Sequence, residues 1–86
     1  MTRKYEPLAT YLATVSADEI TMRFAEVEAI VGKLPRSAYD YRQWWENSTS
    51  QVEAKDGWLA AGWKVASVDQ ANGNVTFRRE IRQSRR

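Results

Sequence analysis

An α+β fold, mainly helical, is the class this sequence predicts: about four short helices followed by a C-terminal β-hairpin. Three observations predict it. Apolar residues recur at helical spacing through the N-terminal half. A glycine-ended helix is followed within a few residues by a proline-led one. Asn72-Gly73 then sits between two segments that read as strands. Two helices joined by so tight a turn, with a hairpin after them, make the expected architecture winged helix-turn-helix-like.

Residues 1–5 read as a loose arm. Pro7 opens a helix to about Val15, because Leu8, Tyr11, Leu12 and Val15 form an i, i+3, i+4, i+7 stripe. Ser16-Ala17-Asp18-Glu19 breaks it. Ile20-Thr21-Met22 alternates apolar and polar, as a short strand or an extended lead-in. The helical period returns with Phe24, Val27, Ile30 and Val31. Glu26 and Glu28 lie off that face, where acids suit the positive end of a helix dipole, and Gly32 is the stop signal.

The stretch Leu34–Asn47 organises the middle of the chain. Pro35 is welcome only at a helix start, and Ser37 with Asp40 makes an imperfect capping box. Ala38, Tyr41, Trp44 and Trp45 then give one apolar stripe on a helix unbroken to Trp45. Arg36, Tyr39, Asp40, Arg42, Gln43 and Glu46 lie opposite, and Asn47 suits the position past the end. Adjacent tryptophans on a helix point about 100° apart. One is expected to anchor the core while the other covers a second crevice or lies partly exposed.

After the connector Ser48-Thr49-Ser50, Ser50 and Glu53 form a capping box for a helix from Gln51 to Ala61, ended by Gly62. Gly57 inside it costs about 1 kcal/mol against Ala, and leaves room for a second helix or an indole to approach. In the hairpin, Trp63–Asp69 leads to Asn72-Gly73 and Asn74–Arg79 returns. A two-residue turn there pairs Val68 with Phe77 and Ala66 with Arg79. That register strands Trp63 and Val65 on the wrong face, so either a bulge near Ser67 or coverage of both faces is required.

Eighty-six residues make one domain, 1–86, with an ordered core at about 5–79 and a basic tail from 80 to 86. The absence of Cys and His removes disulfides, thiolate sites, the commonest zinc ligand and the commonest general base. No Gly-rich phosphate loop or paired-carboxylate arrangement appears. An enzyme is therefore not expected, and neither a cofactor nor a metal is. No apolar run reaches the ~20 residues a membrane span needs, which makes a cytoplasmic address the expectation. Residues 78–86 carry a net +4 within a chain of net +2, so the body is mildly acidic and the tail basic.

Taken together, these positions resemble a family of small bacterial and phage domains of unknown function, over about residues 5–79. The resemblance is carried by Pro7-Leu8, Tyr11-Leu12, Ile20, Phe24-Ala25-Glu26-Val27-Glu28, Ile30, Gly32 and Leu34-Pro35. It continues through Ser37-Ala38, Trp44-Trp45, Asn47, Trp58-Leu59, Ala61-Gly62-Trp63, Val68-Asp69 and Val75-Thr76-Phe77-Arg78. Where similar sequences have Ser or Thr before the Phe, this one has Arg23, which leaves that helix without a hydroxyl cap. The resemblance implies no activity.

The function expected from the residues is nucleic-acid binding, with DNA the first candidate. The second helix of the tight pair would enter a groove with Ser37, Tyr39, Arg42 and Gln43, Arg and Gln being the side chains that chelate base edges. Arg36 at the turn and Arg78, Arg79 and Arg82 on or after the hairpin would touch phosphates. The alternative is a protein-interaction or regulatory module, or a homodimer, using an exposed Trp/Tyr surface.

Overall fold

The computed structural model describes residues 4–80. Helix α1 (Glu6–Thr14) is followed by strand β1 (Glu19–Arg23), helix α2 (Phe24–Val31) and helix α3 (Arg36–Asp40). A 3-10 turn (Arg42–Trp45), a π-helical turn (Ala54–Trp58) and a second 3-10 turn (Leu59–Ala61) lead to strands β2 (Trp63–Asp69) and β3 (Asn74–Arg79). The strands form one antiparallel sheet in the order β1-β3-β2. The expected hairpin is thus two strands of a three-stranded sheet, and Ile20-Thr21-Met22 belongs to the third.

The expected hairpin register is corrected. Asp69 pairs with Asn74, Val68 with Val75 and Val65 with Phe77, and the ladder shifts between Val65 and Ser67. Asn72-Gly73 is the end of a longer loop, because Asp69 accepts from the Asn72 amide at 3.1 Å and from its Nδ2 at 2.7 Å, which closes the turn further out. The extra residue, Ala66, restores the parity that the regular register violates. Trp63, Val65 and Val68 now share a face with Val75, Phe77, Ile20 and Met22. The helices cover that face, while Glu19, Thr21, Arg23, Lys64, Ser67, Asp69 and Arg78 are exposed on the other.

α1 and α2 form where the apolar period places them, burying Leu8 and Leu12, and Phe24, Val27 and Val31. Tyr5 is not part of a loose arm: it is buried, and its ring meets Trp44 edge-on at 5.9 Å. α2 lacks a hydroxyl cap, as Arg23 implies. The Glu26 carboxylate accepts from the Arg23 amide at 2.8 Å, and the Phe24 amide donates to the Gly73 carbonyl at 2.8 Å, so the loop between β2 and β3 caps this helix. Gly73 holds φ +71° to present that carbonyl. α2 ends at Gly32, φ +90°.

The single helix expected through Trp45 does not form. α3 stops at Asp40, Tyr41 is extended (φ −123°, ψ 122°), and a 3-10 turn follows. The Ala38 carbonyl shows why. In an unbroken helix it would accept from the Arg42 amide. Here it accepts from Trp45 Nε1 at 2.8 Å and Gln70 Nε2 at 2.9 Å. The break turns both indoles inward: Trp45 is 2% exposed and Trp44 is half-buried against it, 4.7 Å between centroids.

The helix expected from Gln51 is interrupted as well. Gly57 has non-helical dihedrals, and α1 lies across it, with Tyr5 Cβ 3.5 Å from where a Cβ would stand. The Ser50 hydroxyl pairs with Ser48 rather than capping this segment, and Glu53 accepts from Gln51 Nε2. At the centre of the core the rings of Phe24, Trp45 and Trp58 stack at 5.0 and 5.8 Å, and Phe77 closes the column at 5.6 Å.

Candidate functional site

The break at Tyr41 decides what the central segment offers to solvent. Arg42, Gln43, Trp45 and Glu46 form one wall of a cleft of about 300 Å³, and Val65–Val68 of β2 form the other. Asn47 fixes the spacing. Its Oδ1 accepts from the Val65 amide at 2.8 Å and from Trp58 Nε1 at 2.9 Å, and its Nδ2 donates to the Val65 carbonyl at 3.1 Å. One amide side chain thus closes part of the outer edge of β2 and satisfies a buried indole. Gln51 Nε2 donates to the Gln43 carbonyl at 3.1 Å and holds the other wall.

The cleft lies against the bulged part of β2. Ser67 lines it and is paired with Thr76, which is paired in turn with Thr21, their hydroxyls 2.8 Å apart. The neighbouring row is Lys64, Arg78 and Glu19, with Arg78 3.6 Å from the Glu19 carboxylate. Arg42 and Gln43 stand at the cleft, and Lys64 and Arg78 stand on the uncovered face of the sheet.

A family model described as domain of unknown function (DUF7662) matches residues 5–80. The chain belongs to this family. No curated protein matches it, and no solved structure does. The DUF7662 match takes in every element from α1 to β3, so the cleft and both sheet edges lie within it.

Within this DUF7662 domain the residues singled out from sequence divide sharply. Arg42 and Gln43 are exposed at the cleft. Arg36 is exposed and rests on Asp40 at 3.1 Å, four residues along the same helix. Ser37 is half-buried. Tyr39 is engaged: its hydroxyl donates to Glu28 at 2.7 Å and its ring meets Phe24 edge-on at 5.3 Å. Arg78 stands on the uncovered face. Arg79, one residue on, turns to the other face. Its guanidinium lies 4.6 Å from the Trp63 ring centroid, donates to the carbonyls of Val15 at 2.6 Å and Ala17 at 3.0 Å, and pairs with Asp18 at 3.3 Å. Arg79 is thus the staple that ties the α1–β1 loop to the sheet. Arg82, like Arg85 and Arg86, lies outside the described residues.

Glu28 controls the turn between α2 and α3. One oxygen accepts both the Leu34 amide, at 3.0 Å, and the Tyr39 hydroxyl. The Leu34 amide foremost, then Tyr39, holds this carboxyl below the usual range, and the same bond raises Tyr39. Asp69 is likewise lowered, by the Asn72 side chain first. Sequence reasoning missed Val65–Val68 as neighbours of Arg42. The one available signal was the facing conflict in β2, which either a bulge near Ser67 or coverage of both faces would resolve. Among the described residues no cluster of acids has the form of a metal site, and no helix is long and apolar enough to cross a membrane.

Proposed function

We propose that this domain binds nucleic acid, duplex DNA in the first place, through the cleft wall formed by Arg42 and Gln43 and the basic residues beside it on the ribbon. On this reading α2, the Gly32–Pro35 turn and α3 serve as the helix pair of a winged helix. β2 and β3 serve as the wing, and β1 completes the sheet. The observation that supports it is the cleft wall that faces β2. Two exposed side chains of the types that chelate base edges stand opposite β2, and Lys64 and Arg78 follow across the sheet. Arg36 keeps its place as a phosphate contact at the start of α3, with 92% of its side chain exposed. Tyr39 and Arg79 leave the contact set, because their polar atoms are already held within the fold. The uncovered face presents Glu19, Thr21, Arg23, Lys64, Ser67, Asp69, Asn74, Thr76 and Arg78 and no aromatic ring, which favours a duplex backbone over stacked single-stranded bases.

The test is binding to random-sequence duplex DNA, followed by fluorescence anisotropy across a salt series. Affinity should fall steeply with salt. Arg78→Ala should lower the log–log slope by about 1, as expected for one lost phosphate contact. Arg42→Ala with Gln43→Ala should erase any preference among sequences. No binding at low salt would remove the reading. One observation favours protein interaction instead: Tyr41 is 60% exposed at the break in the central segment. Association that survives high salt and is lost in Tyr41→Ala would select that reading.

A further inference from the structure

The sheet has two outer edges, and they are treated differently. The β2 edge carries the bulge at Ala66, and Asn47 occupies the outward N–H and C=O of Val65. Both are devices that stop an edge from recruiting another strand. The β1 edge has no bulge and no proline. Its outward groups follow from alternation. The Arg79 amide donates to the Asp18 carbonyl at 2.7 Å, so Asp18 bonds inward. Ile20 and Met22 then bond inward to β3 as well, and Glu19, Thr21 and Arg23 direct their backbone groups away from the sheet. The Arg23 amide is taken by Glu26. Glu19 and Thr21 are left presenting both a donor and an acceptor, and Thr21 is the middle residue of the strand.

We infer that β1 is a self-pairing edge, and that its partner is β1 of a second copy of this chain, joined antiparallel about a two-fold axis at Thr21. The charges choose this register. Pairing centred on Thr21 sets Glu19 opposite Arg23 of the second copy, and Arg23 opposite its Glu19. Centring on Glu19 or on Arg23 would set like charges face to face, which is unfavourable. In the Thr21 register the two threonines exchange N–H···O=C bonds, and Ile20 falls opposite Met22 on the covered face. A groove of about 290 Å³ runs along this edge between β1 and α2, its walls mainly Ile20, Met22, Ala29, Ile30 and Tyr11, with Thr21 and Glu26 also lining it. It gives the apolar side chains of the second copy a matching surface, as an isologous contact requires. Glu19 is shared at no great loss, since its exposed contact with Arg78 is long at 3.6 Å. The inference does not rest on nucleic-acid binding, although a two-fold dimer would present two clefts to a duplex.

Sedimentation velocity over a concentration series tests it, with circular dichroism on each variant to confirm the fold. The wild type should show a monomer–dimer equilibrium. Arg23→Glu and Glu19→Arg should each weaken the dimer roughly tenfold or more, and the double swap should restore it, because the opposite-charge pairing returns. Thr21→Pro should abolish the dimer while leaving the β1–β3 ladder intact, since the lost amide points outward. Hydrogen exchange gives a readout independent of variants: the Thr21 amide should become protected as concentration rises. A wild type that stays monomeric throughout overturns the inference, as does a dimer that survives both Thr21→Pro and Arg23→Glu. A dimer lost in Tyr41→Ala alone would overturn it too, by placing the contact elsewhere.

Discussion

Helices α1 and α2 and the segment from Arg36 to Ala61 meet the same backbone demand in opposite ways. In α1 and α2 the main chain pairs with itself, and the side chains of Leu8, Leu12, Val27 and Val31 only pack. In the later segment side chains take over the carbonyls. Trp45 and Gln70 hold Ala38, Gln51 holds Gln43, and Asn47 holds Val65 and Trp58. The first arrangement leaves a period of 3.6 in the sequence. The second leaves only residue types, with no period. The difference teaches where an apolar stripe can be trusted: a stripe ending in two indoles carries N–H donors that compete with the helix they sit on.

Trp45 is where that comparison breaks most visibly. Trp45→Ala should cost about 3–5 kcal/mol in urea unfolding, because the ring lies in the column between Phe24 and Trp58. Trp45→Phe sharpens the result. It keeps a ring and loses the N–H to Ala38, for about 1 kcal/mol. It should also gain helical signal, since the Ala38 carbonyl can again accept from Arg42. A Phe variant as stable as the wild type and no more helical would show that the indole bond does not end α3.

Asn47 comes next. Asn47→Ala should cost about 1–3 kcal/mol, chiefly by leaving the Trp58 N–H buried without an acceptor. It should also loosen β2 at Val65, read as faster exchange of the Val65 amide. A glutamine-scale effect at Asn47, no larger than that of Gln51→Ala, would mean that the strand edge is held by packing instead.

Much of the fold could be read from residues near one another in the chain. Leu8 and Leu12, Phe24 and Val27, Gly32 and Pro35 each act within a turn or two. The conflict between Val65 and Val68 also left a bulge as one of two ways out, and the ladder shift between Val65 and Ser67 takes it. What could not be read depends on distant partners. Tyr39 looks like a free reader until Glu28, eleven residues back, claims its hydroxyl. Arg79 looks like a phosphate contact until the chain brings Val15 and Ala17 beneath it, 64 and 62 residues away. The β-turn misled in a smaller way, because Asp69 rather than the Asn-Gly pair sets its closure. Of the candidate site, Arg42 and Gln43 were legible as polar and outward. That β2 would face them was not, since Asn47 is tied to Val65 from 18 residues away in the chain.

The smallest expected effect lies at a place in the regular half where a side chain also commands the backbone. Glu28 is held below its ordinary value of 4.5, so the support it gives is complete above that value and is lost as pH falls through its lower folded value. Tyr39 is held above its ordinary 10.0, so its share is complete below that value and fades as pH rises past it. Glu28→Gln should therefore be less stable than the wild type at neutral pH, by a gap that closes on acidification. Tyr39→Phe should show its own smaller gap, one that closes on the alkaline side. Urea midpoints across pH would read both. Parallel curves for Glu28→Gln and the wild type down to acid pH would mean that the α2–α3 turn is fixed by Gly32 and Pro35 alone, and that Glu28 does not clamp it.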